Sequence, residues 1–503
     1  MTSIQRHAHQ EKASRPAPSP ADPTTGTYQG TQAQQLLKLA HDLELFHSPD
    51  DRGYATVRTQ RHKETWAIRS SGFRKWLVQE FYRAHDHPPN ASALTEALET
   101  LDAQAQFDRP EQSVFLRVAE ADGAIYLDLA NERWEAVKIT ADGWHVVAGP
   151  PVRFHRSRGM KALPYPARGG TLRDLNPFIN VVGLDRVLLR AWLVAALRPR
   201  GPYPILVVTG EQGSTKSTLA RVVSSLIDPR TPSLRAHPRR EQDLMIAASH
   251  VWCVSFDNLS YVPPWLSDAC CRVATGGGYG TRELYSDEDE VLFDVMRPVV
   301  LNGITELVTR PDLLDRSLMI SLRELPDEHR RTEEEFWRDF EAIRPRVLGA
   351  LLDAVSMALR RSHEVELPTL PRMADFARWA TAAELALNCK PGAFRRAYER
   401  NRSAANQLAL EASPVATALL DFVRLQKTWE GTAVDLLVIL SGCADERTQR
   451  QRCGWPQSPR GLSQALRRLA PPLRAQGVTV AFRRQPGDDR TRLISISGEA
   501  AKP

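Results

Sequence analysis

Apolar residues follow different spacings in successive parts of this chain of 503 residues. Within residues 31–163, alternating segments such as GYATVRTQ (53–60) and WEAVKITADGWHVVAG (134–149) predict strands, whereas SALTEALETLDAQAQF (92–107) has helical spacing. Residues 1–30 are rich in Pro, Ser, Thr, Gln and His and cannot form a core. We therefore predict a disordered tail over 1–30 and an α+β N-terminal domain over 31–163.

The pattern changes after a linker of Pro and Gly residues at 164–170. Residues 171–325 alternate strands with helices, which is typical of a parallel sheet wrapped by helices. Residues 326–412 show helical spacing throughout, and residues 413–503 combine helices with two alternating strands. We therefore predict an α/β core, a helical lid and a small C-terminal domain over these three ranges.

Positive charge is concentrated near the C-terminus. The whole chain has a formal charge of +6, and residues 447–492 alone contain 11 Arg against 2 Asp. An arginine field of this density favours an anionic partner, of which nucleic acid is the commonest. The alternative is a basic surface that is simply solvated.

Cysteine usage and the N-terminal sequence indicate the cellular compartment of the protein. None of the six cysteines forms a C-x-x-C pair, so neither a zinc site nor a disulfide framework is indicated. The first twenty residues lack the apolar core of a secretory signal, and the chain has no run of about 18 apolar residues. We expect a cytoplasmic protein without a membrane partner.

A glycine loop directly follows an apolar strand in the α/β core. The strand PILVVT (204–209) leads into GEQGSTKST and then into the helical segment LARVVSSLI. Strand, glycine loop, Lys-Ser and helix are the context of a P-loop, in which backbone N–H groups surround phosphate oxygens. The predicted ATP-binding residues are Gly210, Glu211, Gln212, Gly213, Ser214, Thr215, Lys216, Ser217 and Thr218.

Two residues of this loop have defined chemical roles, and one departs from the common pattern. Lys216 would neutralise the β- and γ-phosphates, and Ser217 would ligate Mg²⁺. The pattern G-x-x-x-x-G-K-[ST] has glycine before the lysine, where this chain has Thr215. We expect Gly213 to supply the flexibility instead.

Two further strands lead to polar residues. VWCVSFDN (251–258) brings Asp257 to a position where it would hold Mg²⁺, in the Walker B role. Asn258 stands where many ATPases have a catalytic Glu; an amide can position water but cannot accept its proton. RPVVLNGI (297–304) leads to Asn302, a candidate sensor of the γ-phosphate or the attacking water.

Two arginines follow the sensor strand, in TRPDLLDRSLMISL (309–322). Arg310 or Arg316 would supply charge to the transition state in a neighbouring subunit's site. The alternative for either residue is a surface ion pair with Asp312 or Asp315.

The order of these motifs resembles the AAA+ ATPases of the superfamily 3 and poxvirus-type primase–helicase group, and more narrowly the ATP-binding replication proteins of phages and integrated bacterial elements. The resemblance covers about residues 200–412. It implies an AAA+-like parallel sheet and a homo-oligomeric ring, usually a hexamer, that moves along DNA.

The same resemblance assigns a role to the segment between Asp257 and Asn302. TRELY and EVLFDVM can pair across the acidic turn SDEDE. In the resembling helicases, a hairpin here projects into the ring channel. Arg282 would then contact phosphate of single-stranded DNA, and Tyr279 or Tyr285 would stack on a base. A hairpin that only packs against the core is the alternative.

Residues 413–503 have the pattern of a winged helix. Ser413-Pro414 begins one helix, SPRGLSQALRRL (458–469) forms a second, and GVTVAFRRQPGDDRTRLISIS forms a hairpin. The second helix would enter the major groove of duplex DNA, and the hairpin would touch phosphate. The expected DNA contacts are Arg460, Arg467, Arg468, Arg483, Arg484, Arg490 and Arg492. A module that docks a protein is the alternative.

The sequence thus favours an α/β P-loop ATPase with an N-terminal α+β domain, a helical lid and a C-terminal winged helix. Its predicted function is an ATP- and Mg²⁺-dependent DNA motor, a helicase or translocase that replicates a mobile element. A nucleotide-switched initiator or loader without unwinding activity is the second hypothesis. A small-molecule kinase would need neither Arg316 nor a winged helix.

Overall fold

The computed structural model describes residues 30–59, 62–282, 290–304, 307–444, 455–485 and 491–498. Its first unit is an antiparallel three-stranded sheet covered by three helices around their own hydrophobic core. The side chains of Ser70 and Asn90 accept hydrogen bonds from backbone N–H groups and begin the second and third helices. The elements are α1 (Gln32–Leu39), β1 (Glu44–His47), β2 (Gly53–Arg58), β3 (Lys63–Ala67), α2 (Ser71–His85) and α3 (Ala91–Phe107).

A four-stranded antiparallel meander follows, flanked by two short strands that pair with each other in parallel. The turn between its first two strands is Asp122-Gly123. Asp142-Gly143 also has the pattern of a turn, but the turn between its last two strands is Ala141-Asp142, because Gly143 already pairs with Thr140. The meander shares one hydrophobic core with helices beyond residue 171 and contributes to a second, smaller one, so residues 31–163 contribute to three cores. The strands are β4 (Val114–Phe115), β5 (Val118–Ala121), β6 (Ala124–Asp128), β7 (Glu135–Thr140), β8 (Gly143–Ala148) and β9 (Arg153–Phe154).

The central sheet is parallel, and helices flank its strands in the chain, as the alternating pattern predicts. Its strand order is β11-β14-β10-β15, and its buried strands read as continuous apolar runs. The elements are α4 (Asp185–Ala195), β10 (Ile205–Gly210), α5 (Lys216–Ile227), α6 (Glu241–His250), β11 (Val254–Leu259), α7 (Pro264–Thr275), β12 (Tyr279–Arg282), β13 (Glu290–Phe293), β14 (Val299–Gly303), α8 (Pro311–Leu314) and β15 (Ser317–Leu322).

Three helices follow: α9 (Glu333–Arg361), α10 (Ala374–Ala382) and α11 (Ala393–Glu411). The stretch 164–170, expected as a linker, lies along α9. The N–H of Ala167 donates to the carbonyl of Pro345 at 2.9 Å. A Cβ atom on Gly349 would stand 1.9 Å from the carbonyl oxygen of Ala167, so only glycine permits this close approach.

The last unit comprises α12 (Pro414–Leu425), β16 (Thr428–Thr432), α13 (Ala433–Cys443), α14 (Pro459–Ala475), β17 (Val478–Arg484) and β18 (Arg492–Gly498). Its sheet has the order β16-β18-β17, so a third strand joins the predicted hairpin. Helix α14 continues past the expected end at residue 469. Among the described residues, no helix is both long and apolar enough to cross a membrane.

A buried ion pair joins the meander to the central sheet. Arg117 precedes β5 and is fully buried, and it donates to Asp228, the residue directly after α5, at 3.0 and 3.1 Å. Asp228 also accepts from the backbone N–H of Trp252 at 2.9 Å, just before β11. The pair therefore fixes the meander, α5 and β11 relative to one another.

Candidate functional site

The glycine loop connects the carboxyl end of β10 to the first turn of α5. Gly213 and Thr215 both have left-handed backbones, with φ of 82° and 69°. This conformation costs a β-branched residue about 1–2 kcal/mol. The expectation that Gly213 would supply the flexibility instead is therefore incomplete, because Thr215 itself adopts the conformation that the usual glycine favours.

Lys216 is the first residue of α5, and its ammonium group lies inside the loop. Nζ donates to the carbonyls of Gly210 and Glu211 at 2.9 and 2.7 Å. Partial burial lowers the pKa of Lys216, while the nearby carboxylate of Asp257 opposes that shift. A phosphate would offer the ammonium a stronger acceptor than the two carbonyls do.

Ser217 and Asp257 meet across α5 and β11. The Ser217 hydroxyl donates to Oδ1 of Asp257 at 2.7 Å. The register of β11 against β14 shifts between Phe256 and Leu259, and such a bulge can redirect a side chain. The sequence placed the end of this strand at Asp257, but β11 continues through the bulge to Leu259. A hydroxyl and a carboxylate oxygen at this separation suit Mg²⁺, which prefers oxygen ligands.

Asn302 and Asn258 form the next contact along the same sheet edge. Asn302 lies beside Val208 in the register of β14 and β10, and it is 1% exposed. Its Oδ1 accepts from the backbone N–H of Asn258 at 2.9 Å, while its Nδ2 has no hydrogen-bond partner among the described residues. Asn258 has a left-handed backbone, with φ of 53°. The free amide donor of Asn302 suits an anion or water bound at this edge.

Two residues near the loop were missed by the sequence reasoning. The Asn180 amide donates to the carbonyls of Ser214 and Arg323 at 3.3 and 2.6 Å, which ties the loop to the segment after β15. A guanidinium nitrogen of Arg330 lies 3.9 Å from the position that a Cβ atom on Gly213 would occupy. Neither residue belongs to a local motif, so folding alone brings them to the loop.

Arg310 and Arg316 lie away from the loop of their own chain. Strands β10 and β15 are parallel, with Ile205 beside Ser317 and Gly210 beside Leu322. Arg316 precedes Ser317 and therefore lies six positions from the loop along the sheet, or roughly 20 Å at about 3.3 Å per residue. It donates to the backbone carbonyl of Asp312 at 2.8 Å.

Neither Arg310 nor Arg316 forms the alternative ion pair with Asp312 or Asp315 in the described part of the chain. Arg310 pairs with Asp268 at 3.0 Å. The carboxylate of Asp315 pairs with Arg402 and Arg372.

The DNA-contact candidates divide into three groups. Strands β12 and β13 form the expected hairpin, with Arg282 opposite Glu290; the side chains of Tyr279 and Arg282 and all of Tyr285 lie outside the described part. Arg490 also lies outside it. Arg467 stacks on the ring of Phe482 at 3.9 Å. Arg467 is exposed, and so are Arg460, Arg468, Arg483, Arg484 and Arg492.

A parallel sheet with a glycine loop, a buried asparagine and a Ser–Asp pair at one edge is an α/β fold of the ATPase type. Residues 175–399 match the family described as the actinomycete integrative conjugative element replication protein, and residues 415–503 match the C-terminal domain of the same family, AICE RepA. Both matched ranges are thus similar to replication proteins of mobile elements.

Solved structures of low sequence identity resemble the chain. SCCmec type IV Cch, described as an active helicase, is 11% identical, with a TM-score of 0.44 over 90% of this chain and 93% of that chain. The C-terminal region of NrS-1 is 11% identical, with a TM-score of 0.40 over 94% and 100%. An MCM homologue from Methanopyrus kandleri is 14% identical, with a TM-score of 0.31 over 69% and 90%. No curated protein matches the chain.

Replacing Lys216 tests the glycine loop. We expect Lys216→Ala to weaken binding of a fluorescent ATP analogue at least tenfold, because a charge-assisted contact to phosphate contributes about 1.5–3 kcal/mol. The matched control is Arg221→Ala on the exposed side of the same helix, where Arg221 pairs with Glu333 at 3.0 Å. Equal affinities for the two variants, both folded by circular dichroism, would rule out phosphate binding by Lys216.

Proposed function

We propose that this replication protein is a Mg²⁺- and ATP-dependent DNA motor, a helicase or translocase that works as a homo-oligomeric ring. One arrangement carries the proposal: Lys216, the Ser217–Asp257 pair and the unpartnered amide of Asn302 lie together at the carboxyl edge of the sheet. ATP would lie on the glycine loop, with Mg²⁺ between Ser217 and Asp257. Asn302 would donate to the γ-phosphate or position the attacking water.

Arg330 extends this constellation within the same chain. Its position beside Gly213 would bring a second positive charge to the phosphates. It now pairs with Asp327 at 3.1 Å at the surface, a contact that contributes little and is readily exchanged for phosphate. Asn180 would hold the loop in place while ATP binds and leaves.

A nucleotide-switched initiator or loader is the second candidate, and Asn258 favours it. The residue after Asp257 offers an amide where a general base would stand. Its left-handed backbone directs its N–H to Asn302. Slow hydrolysis suits a protein that changes state on binding ATP more than one that moves continuously.

ATPase and strand-displacement assays separate the two candidates. For a motor, we expect single-stranded DNA to stimulate hydrolysis and the protein to displace a labelled strand from a forked duplex. Lys216→Ala serves as the background in both assays. Stimulation without displacement would support the loader, and a wild-type rate equal to that of Lys216→Ala would remove both candidates.

Subunit mixing tests whether Arg316 acts on a neighbour's nucleotide. Because Arg316 lies roughly 20 Å from its own loop, we expect Arg316→Ala to abolish hydrolysis and mixing with Lys216→Ala subunits to restore part of it. A mixed interface can pair an intact loop with an intact arginine.

The matched control mixes Asp257→Asn with Lys216→Ala subunits. These two lesions lie in the same site, so no mixed interface contains an intact one. Absence of rescue in confirmed Arg316→Ala and Lys216→Ala mixed assemblies would refute the role in trans.

The last unit is proposed as a winged helix that binds duplex DNA. Arg484 and Arg492 are directly opposite each other on β17 and β18, and both are exposed. Like charges in this position repel, and a phosphate between them would relieve the repulsion. Arg460, Arg468, Arg483 and Arg484 form no ion pair with described residues, so they can turn to DNA without losing a partner.

A quadruple variant tests this surface: Arg460→Gln, Arg468→Gln, Arg483→Gln and Arg484→Gln together. Each lost phosphate contact should lower the slope of log affinity against log salt by about 0.9 on duplex DNA, or roughly 3 to 4 in all. The control replaces four exposed, ion-paired arginines with Gln: Arg83, Arg200, Arg338 and Arg361. Affinities are measured by fluorescence anisotropy at several salt concentrations. If the two variants have the same slope of log affinity against log salt, the C-terminal arginines have no role in DNA binding.

A further inference from the structure

Five basic residues from separate parts of the chain lie near one another, on segments that hydrogen bonds and packing hold together. Arg52 precedes β2, His155 follows β9, Arg230 and Arg235 lie between α5 and α6, and His250 ends α6. We refer to these five residues as the basic cluster. None of them belongs to the nucleotide site or to the C-terminal arginine field.

Hydrogen bonds and packing hold the elements of the basic cluster together. The His155 ring packs edge-on against Tyr54 with ring centres 6.0 Å apart. The Ser157 hydroxyl donates to the carbonyl of His250 at 2.6 Å. The N–H of Lys161 donates to the carbonyl of Pro229 at 2.8 Å, next to Arg230. The cluster therefore lies on a fixed framework rather than on one loop.

Positive charge exceeds negative charge within this cluster. Arg52 pairs with Asp50, and Arg230 approaches Asp228, which Arg117 already neutralises. The guanidinium of Arg235 has no hydrogen bond or ion pair with any described residue.

The two histidines report the same imbalance. Burial, followed by the charges of His250 and Arg52, lowers the pKa of His155 to about 4. Partial burial and the charges of Arg52, Arg230 and Arg235 lower the pKa of His250. No carboxylate of a described residue is among the causes of either pKa shift.

Unpartnered nitrogens give a second, independent indication of an anion site. Arg230 is 7% exposed, and its Nε has no hydrogen-bond partner among the described residues. The Nε of Arg235 and the Nδ1 of His155 are buried and unpartnered in the same way. Buried polar nitrogens normally have partners, so the two unpartnered arginine donors in this basic region point to an absent acceptor.

We propose that the basic cluster binds a phosphate of a nucleic-acid backbone, as a DNA site distinct from the C-terminal unit. The proposal rests on the DNA-directed function above. A backbone fits better than a free phosphate because basic side chains continue along the surface beyond the five residues. These are the exposed Arg158, His237, Arg239 and Arg240.

This site is directly linked to the strand that carries Asp257. The N–H of Arg235 donates to the carbonyl of Ser255 at 3.0 Å, and the carbonyl of Arg235 accepts from the N–H of Asp257 at 2.9 Å. A phosphate that draws Arg235 toward it therefore acts on the backbone on both sides of Phe256. DNA bound at the basic cluster is thus connected through the backbone of Arg235 to Asp257, the proposed Mg²⁺ ligand.

The test compares Arg52→Gln/Arg235→Gln with the control Arg338→Gln/Arg361→Gln, which removes equal charge from exposed ion pairs on α9 and at its end. Full-length proteins are titrated with labelled single-stranded DNA at several KCl concentrations. Loss of two phosphate contacts should lower the slope of log affinity against log salt by about 1.4. If the curves of variant and wild type meet at 1 M KCl, the variant then binds about 25-fold more weakly at 0.1 M KCl. Arg235→Gln/His250→Gln is the second variant, and melting temperatures confirm that each variant is folded.

A second arm measures the melting temperature in sodium phosphate against sodium chloride at matched ionic strength. Phosphate stabilisation that the variants lose, with unchanged DNA slopes, would show a free-anion site and overturn the backbone assignment. If the cluster variants change the mass of the protein assembly but leave the salt dependence of DNA binding unchanged, the cluster binds an acidic protein surface. That outcome would also overturn the backbone assignment. If both cluster variants bind DNA as tightly as the wild-type protein does, this inference alone is overturned. If the wild-type protein binds no DNA, the proposed function itself is overturned.

Discussion

Asp228 is the carboxylate on which the relative positions of the meander, α5 and β11 depend. It is 1% exposed and accepts from Arg117 and from the N–H groups of Trp252 and Cys253. A buried carboxylate costs several kcal/mol of desolvation unless such donors surround it, and removing one partner of a buried pair costs about 3–5 kcal/mol. The end of α5 is therefore held against the start of β11 by a contact that tolerates little displacement.

The same helix and strand touch at two further points. The hydroxyls of Ser224 and Ser255 are 2.8 Å apart, and Ser217 donates to Asp257 at 2.7 Å. These three polar contacts run from the amino end of β11 to its carboxyl end. The proposed Mg²⁺ ligands thus meet because the whole length of α5 is aligned with β11, although 40 residues separate Ser217 from Asp257 in the chain.

Sequence reasoning reached the parts of the site that local patterns encode. The glycine loop, the apolar strands before Asp257 and Asn302, and the parallel α/β alternation all depend on residues close in sequence. It did not find Asn180 or Arg330, because their positions depend on how the chain folds back to the loop. The basic cluster was missed for the same reason: its five members come from four separate stretches, each unremarkable alone. The left-handed backbone of Thr215 was missed because this conformation was expected only of the glycine that usually stands before the lysine.

Sheet polarity explains why one subunit would hold only part of an ATPase site. Parallel strands place Lys216, Asp257 and Asn302 at the carboxyl edge, whereas Arg316 precedes β15 and lies near the amino edge. No side-chain rotation spans the roughly 20 Å between them. An arginine at the amino edge can reach a nucleotide only if a second subunit presents its carboxyl edge there. A head-to-tail interface of this kind repeats from subunit to subunit and closes into a ring when the rotation allows it. The direction of the strands is therefore compatible with the ring that the family resemblance implies.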